Sequence, residues 1–351
     1  VFSRDEPAWL GDRAIVPSPS TEIAAMTRVV IGWRCLPALA LLLCTLILVP
    51  GCQSTPVQPS EPAVAAAAPV PKTITEILEA APPSDWRPID PERLLILELA
   101  VGPVMIELAP GFAPRHVDNI ATLVRSGYFD SSAIIRVHDN YVVQWADPGR
   151  EDPARRRPLG AAAATLEPEF DRSASASGGF VALADGDAYA AEVGFVDGFP
   201  VAREDGREWL VHCYGMVGAG RDNAPDSGNG AELYAVIGHA PRNLDRNVTL
   251  VGRVVRGIEH FSGLPRGPAP MGFLDDPARH VAIKRVRLAS AIPAAERPQL
   301  EALRVESASF EALVEARRNR RDAWYLRPAG RIDLCNVPLP VRAVAAPTTA
   351  P

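Results

Sequence analysis

The sequence predicts a mainly β chain: a closed antiparallel barrel whose ends are plugged by two helices, followed by a helical extension. Three observations carry that prediction. Short apolar segments, many with a two-residue period, recur between turn signals; only two helical stretches interrupt them; and beyond Ile292 the pattern becomes charged and helical. Composition sets the outer bounds. The 351 residues carry a formal charge of −6 and are 47% hydrophobic, which excludes a wholly disordered chain and argues against a basic nucleic-acid footprint. The 35 prolines are scattered without period, excluding collagen-like order. Only Lys72 and Lys284 are lysines, so the abundance of arginine reads as codon bias and carries no functional weight.

Residues 1–25 have no evident role ahead of Met26 and read as an upstream segment before the true start. Residues 26–51 read as a signal peptide. Arg28 and Arg34 precede the apolar run Leu36–Val49, which is too short for a span of about 20 residues. Val49-Pro50-Gly51-Cys52 then resembles a bacterial lipobox. That resemblance implies a lipid on Cys52 as the first mature residue, attachment to a membrane, and, with Gln53 next, sorting to the outer membrane facing the periplasm. A plain cleaved secretory signal and an uncleaved anchor are the alternatives. Residues 52–92 are Pro- and Ala-rich and read as a tether, with one short helix at Thr73–Ala80.

A compact domain is expected over 93–292. Leu94–Val101 and Val104–Ala109 read as strands joined at Gly102-Pro103, with Val104, Ile106 and Leu108 forming one face. Pro114 stands at a first helical position, and Val117, Ile120, Ala121 and Val124 follow at helical spacing up to Gly127. Further strands are expected at Ala133–Val137, Tyr141–Trp145, Gly179–Ala184, Leu210–Val217, Leu233–Ile237, Val248–Val255 and His280–Leu288, and a second helix at Gly257–Gly263. Residues 293–351 are expected to be a helical extension and tail, with Leu300, Leu303, Phe310, Leu313 and Val314 as the apolar stripe. Cys35 and Cys44 would leave with the signal, so Cys213 and Cys335 remain; in an oxidising compartment they could pair, although sequence does not bring them together. There is no C-x-x-C and no H-E-x-x-H, hence no metal-site signature, and no cofactor is expected.

Three stretches, in order, resemble the cyclophilin family of peptidyl-prolyl isomerases. Gly102-Pro103-Val104-Met105-Ile106-Glu107-Leu108 with Ala113-Pro114-Arg115-His116-Val117-Asp118-Asn119 is similar to the family's opening strand and helix. Gly127-Tyr128-Phe129-Asp130, Ile135-Arg136-Val137 and Tyr141-Val142-Val143-Gln144 resemble F-H-R-V…F-x-x-Q. Gly215-Met216-Val217, Gly230-Ala231-Glu232-Leu233-Tyr234, Leu244-Asp245 and Val251-Gly252-Arg253-Val254 resemble G-x-x-S-M-A…G-S-Q-F-F…L-D…F-G-x-V. The likeness covers about Leu94–Leu288 and implies a closed eight-stranded barrel capped by two helices. It also implies an enzyme that isomerises X-Pro bonds of polypeptide substrates.

The chemistry accounts for the residues required. Turning an X-Pro bond breaks amide resonance, against a barrier of about 18–20 kcal/mol, without making or cutting a bond. A donor aimed at the prolyl nitrogen and an apolar grip on the ring suffice. Arg136 matches the family's catalytic arginine, always charged and rigidly forked. The resemblance places Tyr141, Val142, Leu233, Tyr234, Leu244 and Val248 around the proline, Gln144 on the substrate backbone, and Gly220 and Arg221 along the peptide. Taken alone, Arg136 would read as a surface strand arginine, the pocket residues as core, and His138 and His239 as solvated loop residues.

The departures from the pattern bear on turnover. Asn243 stands where the family has tryptophan and Val248 where it has histidine. Trp145-Ala146 replaces Gly-Gly and could narrow the groove, and an insertion spans about 148–212, as a lid or as packed structure. The leading expectation is an isomerase acting on exported proteins in the bacterial cell envelope. The alternatives are a catalytically weak peptide-binding chaperone or scaffold, and a structural protein whose tail helix docks a partner. Oligomeric state is not legible.

Overall fold

The computed structural model describes residues 72–174, 178–322 and 324–344. The expectations for residues 1–25, the signal peptide, Cys52 and most of the tether lie outside the described residues. In chain order the elements are α1 (Ile74–Ala80), β1 (Trp86–Pro88), β2 (Leu94–Glu98), β3 (Pro103–Leu108), α2 (Pro114–Arg125), β4 (Ala133–Val137), β5 (Val142–Ala146), β6 (Arg172–Ser173), β7 (Val181–Ala182), β8 (Glu192–Val196), β9 (Phe199–Glu204), β10 (Arg207–Leu210), β11 (Met216–Ala219), β12 (Leu233–Val236), β13 (Leu250–Arg256), α3 (Ile258–Ser262), β14 (Val281–Ala282), β15 (Arg285–Leu288), β16 (Leu300–Leu303), α4 (Ala308–Arg318) and β17 (Val341–Ala343).

Nine strands form one antiparallel sheet in the order β14-β4-β5-β12-β11-β13-β3-β2-β15. Its two edges, β14 and β15, are separated in the chain only by Ile283 and Lys284, whose N–H groups donate to Ser132 on one side and Glu98 on the other. The sheet therefore curls strongly. No ladder pairs β14 with β15, so the expected closed eight-stranded barrel is met at the level of a curled, mainly β sheet. The two-residue period sorts its faces. Val104, Ile106, Leu108, Ile134, Val143, Trp145, Val217, Leu233, Ala235 and Val251 share one buried cluster with Val117, Ile120, Leu123 and Val124 of α2 and Phe261 of α3. α2 begins at Pro114, whose missing N–H costs nothing there, and both expected helices are present.

The insertion is packed structure with a second sheet, ordered β6-β10-β9-β8-β7. Its two hairpins turn at Asp197-Gly198 and Asp205-Gly206, all four residues having positive φ, which matches the twist of tightly joined strands. Phe195, Phe199 and Trp209 from this sheet bury against Ile77 of α1 and Phe310, Leu313 and Val314 of α4. Packed structure therefore starts before Arg93: α1, closed by a reciprocal Thr73–Glu76 capping box, belongs to this second core.

Two sequence expectations need correction. Among the described residues, α-helix occupies only Ala308–Arg318 of the C-terminal extension; Leu300 and Leu303 lie on β16, between β1 and β17 in a third sheet. Ser307 caps the helix by accepting from the Phe310 N–H, so the apparent helical stripe was two elements in succession. The segment Leu210–Val217 is also not one strand. β10 ends at Leu210, and residues 211–215 carry the chain from the second sheet to the first through Gly215 at φ +83°.

Cys213, within that crossing, is disulfide-bonded to Cys335, joining the exit of the insertion to the C-terminal extension across 122 residues. Closing so long a loop restricts the unfolded chain. Cys335→Ser is expected to cost about 2–4 kcal/mol, read as a lower urea midpoint; equal midpoints with and without reductant would contradict it.

Candidate active site

Arg136 is placed by an irregularity. The β4–β5 register shifts between Ile134 and Arg136, and such a bulge re-aims the side chain that follows it. Arg136 thereby pairs with Gln144 on the face opposite Ile134, although it is fully buried. Each of its three nitrogens is held by one partner, which uses three of the guanidinium's five N–H groups. Nε donates to the Met271 carbonyl at 2.7 Å, Nη1 to Gln144 Oε1 at 3.1 Å, and Nη2 to His138 Nδ1 at 3.0 Å. The Phe273 and Tyr141 rings lie 4.9 and 5.7 Å from the guanidinium carbon. Burial lowers the arginine's pKa, opposed by Tyr141 and Glu232, yet guanidinium remains charged at any physiological pH.

Gln144 is held in turn. Its Nε2 donates to Glu232 on the neighbouring segment, and Glu232 Oε2 pairs with Arg150 of the insertion at 3.2 Å. Met271 and Phe273 come from the loop between α3 and β14. This loop approaches β4 so closely that the Gly272 carbonyl accepts the Val137 N–H at 2.9 Å. A Cβ on Gly272 would stand 2.6 Å from the His138 Cα, and its φ of +74° is glycine's territory.

Two clefts border this network. One, of about 340 Å³, is bounded by Arg136, His138, Tyr141, Asn243 and Met271. The other, of about 490 Å³, includes Gly220, Arg221, Glu232, Arg150 and Phe273 in its walls. Beneath Tyr141, Val142, Tyr234, Val236, Leu244 and Val248 form an apolar cluster separate from the barrel core. Of the sequence-predicted residues, Tyr141 shares the first cleft with Arg136, Gln144 bonds to Arg136, and Val142, Tyr234, Leu244 and Val248 are buried together under Tyr141. Leu233 does not join them: it faces the inside of the curled sheet, because it alternates with Tyr234 along β12. Gly220 and Arg221 lie in the second cleft, where the Arg221 side chain turns away to the Asn247 carbonyl at 2.8 Å.

One further expectation changes. Trp145 does not narrow a groove: it is 1% exposed, on the inner face of the curled sheet, with its ring 5.3 Å from that of Phe261. His138, half-buried in the loop after β4, is also the third acceptor on Arg136. Sequence reasoning left Glu232, Met271 and Phe273 without roles. Glu232 lay inside a quoted motif beside Tyr234, which was an available signal; the approach of the Met271 loop left none.

The arrangement presents a fixed cation beside an apolar wall, suited to polarising a neutral group without nucleophilic attack. Comparison with known proteins agrees with that chemistry. The family model described as cyclophilin type peptidyl-prolyl cis-trans isomerase/CLD matches residues 94–288. A probable peptidyl-prolyl cis-trans isomerase of Brucella suis biovar 1 (strain 1330) is 28% identical over 179 residues, covering 51% of this chain and 74% of that protein. Peptidyl-prolyl cis-trans isomerase-like 1 of Gibberella zeae is 39% identical over 54 residues, 15% of this chain and 33% of its own length. In fold, the chain is similar to the crystal structure of cyclophilin AquaCyp293 from Hirschia baltica, with a TM-score of 0.59 at 23% identity, covering 78% of this chain and 98% of that one. The fold likeness thus takes in more of the chain than the family-matched segment.

Proposed function

We propose, for a chain that belongs to the cyclophilin-type peptidyl-prolyl cis-trans isomerase family, that its X-Pro isomerase activity runs through Arg136 and serves exported polypeptides in the bacterial cell envelope. The observation that carries the site reading is the Arg136 fork, held at all three nitrogens with two N–H groups left over, beside Tyr141 and the Val142–Tyr234–Leu244–Val248 cluster. With the prolyl ring gripped there, a guanidinium N–H directed at the prolyl nitrogen favours its pyramidal, non-conjugated form and lowers the barrier to rotation. Gln144, steadied by Glu232, orients both the arginine and the peptide backbone. We read β14 and β15 as one bent strand, which makes the curled sheet the family's closed eight-stranded barrel.

The envelope reading rests on the lipobox-like Val49–Cys52, with support from the Cys213–Cys335 disulfide, since such bonds persist in oxidising compartments. It predicts that the full chain fractionates with membranes and that Cys52→Ala releases it; equal distribution of the two would sink the anchor. A second reading, the peptide-binding chaperone or scaffold with weak turnover, is favoured by one observation: Arg136 has no exposed surface in the free chain. NMR exchange spectroscopy on an X-Pro peptide separates the two. Accelerated exchange supports the enzyme reading, and binding without acceleration supports the scaffold.

The site also predicts a pH dependence. Burial, and then the charge of Arg136, hold the His138 pKa below its ordinary value, with Asp139 opposing. Arg136 Nη2 can only donate, so His138 Nδ1 must be the bare nitrogen of a neutral ring. Protonation replaces that acceptor with a like charge. The folded-state pKa is the lower one, so this contribution to stability is present above the unfolded value and lost as pH falls through the folded value. kcat/KM is expected to fall on the acid side of the ordinary histidine range, and His138→Asn is expected to flatten that limb. An acid limb unchanged in the variant would exclude His138.

A further inference from the structure

Five buried polar side chains outside the arginine's network form one continuous chain. The Tyr234 hydroxyl lies 2.8 Å from His212 Nε2, and His212 Nδ1 lies 2.8 Å from Asp245 Oδ1, which also accepts the His212 backbone N–H at 3.0 Å. Arg242 Nε donates to the other Asp245 oxygen at 2.6 Å, and its two terminal nitrogens fork onto Asp187 at 2.7 and 2.9 Å. His212 is fully buried, and the Arg242 and Asp187 side chains are almost as enclosed. His212 lies at the exit of the insertion and Asp187 inside it, whereas Tyr234 stands in the apolar cluster below Tyr141.

Burial raises the Tyr234 pKa well above its ordinary value, with Tyr141 and Asp245 acting in the same sense, so the phenol keeps its proton. The phenol can therefore donate to His212 Nε2 while the ring's Nδ1–H donates to the Asp245 carboxylate, an arrangement in which each group has a partner. A second feature is matched to this hydroxyl. On the strand facing Tyr234, Gly218 leaves the space free: a Cβ there would overlap the phenol's ring and oxygen.

We propose that His212 is a positioning residue of the proline pocket: backed by Asp245, it tethers the Tyr234 phenol away from the space the prolyl ring takes, and the Arg242–Asp187 bridge makes the insertion a structural part of that pocket. The proposal rests on reading Tyr141, Tyr234, Leu244 and Val248 as the wall that grips proline. Without His212 the hydroxyl is left buried and unpaired. The nearest relief is rotation toward the cleft and water, which puts the ring into the substrate's volume. The expected signature is therefore weakened substrate binding with nearly intact chemistry.

The test is a double-mutant cycle on the full chain, with KM and kcat read from peptide exchange for wild type, His212→Ala, Tyr234→Phe and the double variant. His212→Ala is expected to raise KM about tenfold and to change kcat by less than about threefold. Adding Tyr234→Phe removes the orphaned hydroxyl and is expected to recover most of the lost affinity, so that the two effects are strongly non-additive. Additive effects, or a lowered melting temperature with KM unmoved, would overturn the proposal. If His212→Ala does not fold, His212→Gln, whose carbonyl can still accept from the phenol, is expected to keep KM within about threefold of wild type; a Gln variant with a tenfold higher KM would count against it. Arg136→Ala separates the two levels of the argument. A flat cycle beside an inactive Arg136→Ala refutes the positioning role alone, whereas an active Arg136→Ala overturns the site reading and this proposal with it.

Discussion

Arg136→Ala is expected to lower kcat/KM for X-Pro isomerisation by about 10²–10³-fold, while peptide affinity, carried by the apolar cluster, changes by no more than about threefold. The split follows from geometry. Arg136 contributes directional N–H groups held by Met271, Gln144 and His138, not the surface that grips a prolyl ring. Arg136→Lys retains the charge but cannot reproduce a planar fork with several acceptors at once, so it is expected to recover only part of the loss. Exchange spectroscopy at saturating and subsaturating enzyme gives both quantities. Wild-type exchange rates in the alanine variant would remove Arg136 from the mechanism.

The largest expected loss of stability lies elsewhere, at Glu107. This β3 carboxylate is 3% exposed and sits between two arginines: Arg253 of β13, with Nη2 at 3.0 Å, and Arg87 of β1, with Nη1 at 2.7 Å. Burial lowers the Arg253 pKa, and Glu107 is the main opposing influence. Glu107→Ala leaves the Arg253 cation enclosed without its carboxylate, which is expected to cost about 3–5 kcal/mol. The change is read as a reduced urea midpoint with the disulfide intact. The variant is also expected to loosen the third sheet, because Arg87 ties β1 to β3; amide hydrogen exchange at Trp86 and Arg87 would report it. A loss below about 1 kcal/mol would mean that water relieves Arg253 on its own.

Much of the barrel was legible because its signals are local. The alternation of Val104, Ile106 and Leu108, Pro114 at the start of α2, and the order of the motif residues each sit within a few positions of one another. Arg136 and Gln144, eight apart across a hairpin, become paired neighbours for the same reason. The insertion was less legible. Its strands are short and partly buried on both faces, so they lack clean alternation, although Asp197-Gly198 and Asp205-Gly206 were readable hairpin signals. In the C-terminal extension, Leu300, Leu303, Phe310 and Leu313 share helical spacing by coincidence, and periodicity alone does not find the break that Ser307 introduces.

By itself, the sequence determined the family, the main strands of the curled sheet, the two helices packed on it and the residue types from which a proline pocket could be built. Only the tertiary structure decided that Trp145 and Leu233 pack inside the curled sheet while Gln144 and Tyr234 lie on its other face. A shift of one position in strand register exchanges every side chain between faces, and register is set by partners far away in the chain. The same holds for the loop covering Arg136, for Cys213 meeting Cys335, and for His212 meeting Tyr234. Each is a contact between segments whose separation in sequence says nothing of their distance, made only when distinct sheets pack together and buried polar groups must find partners.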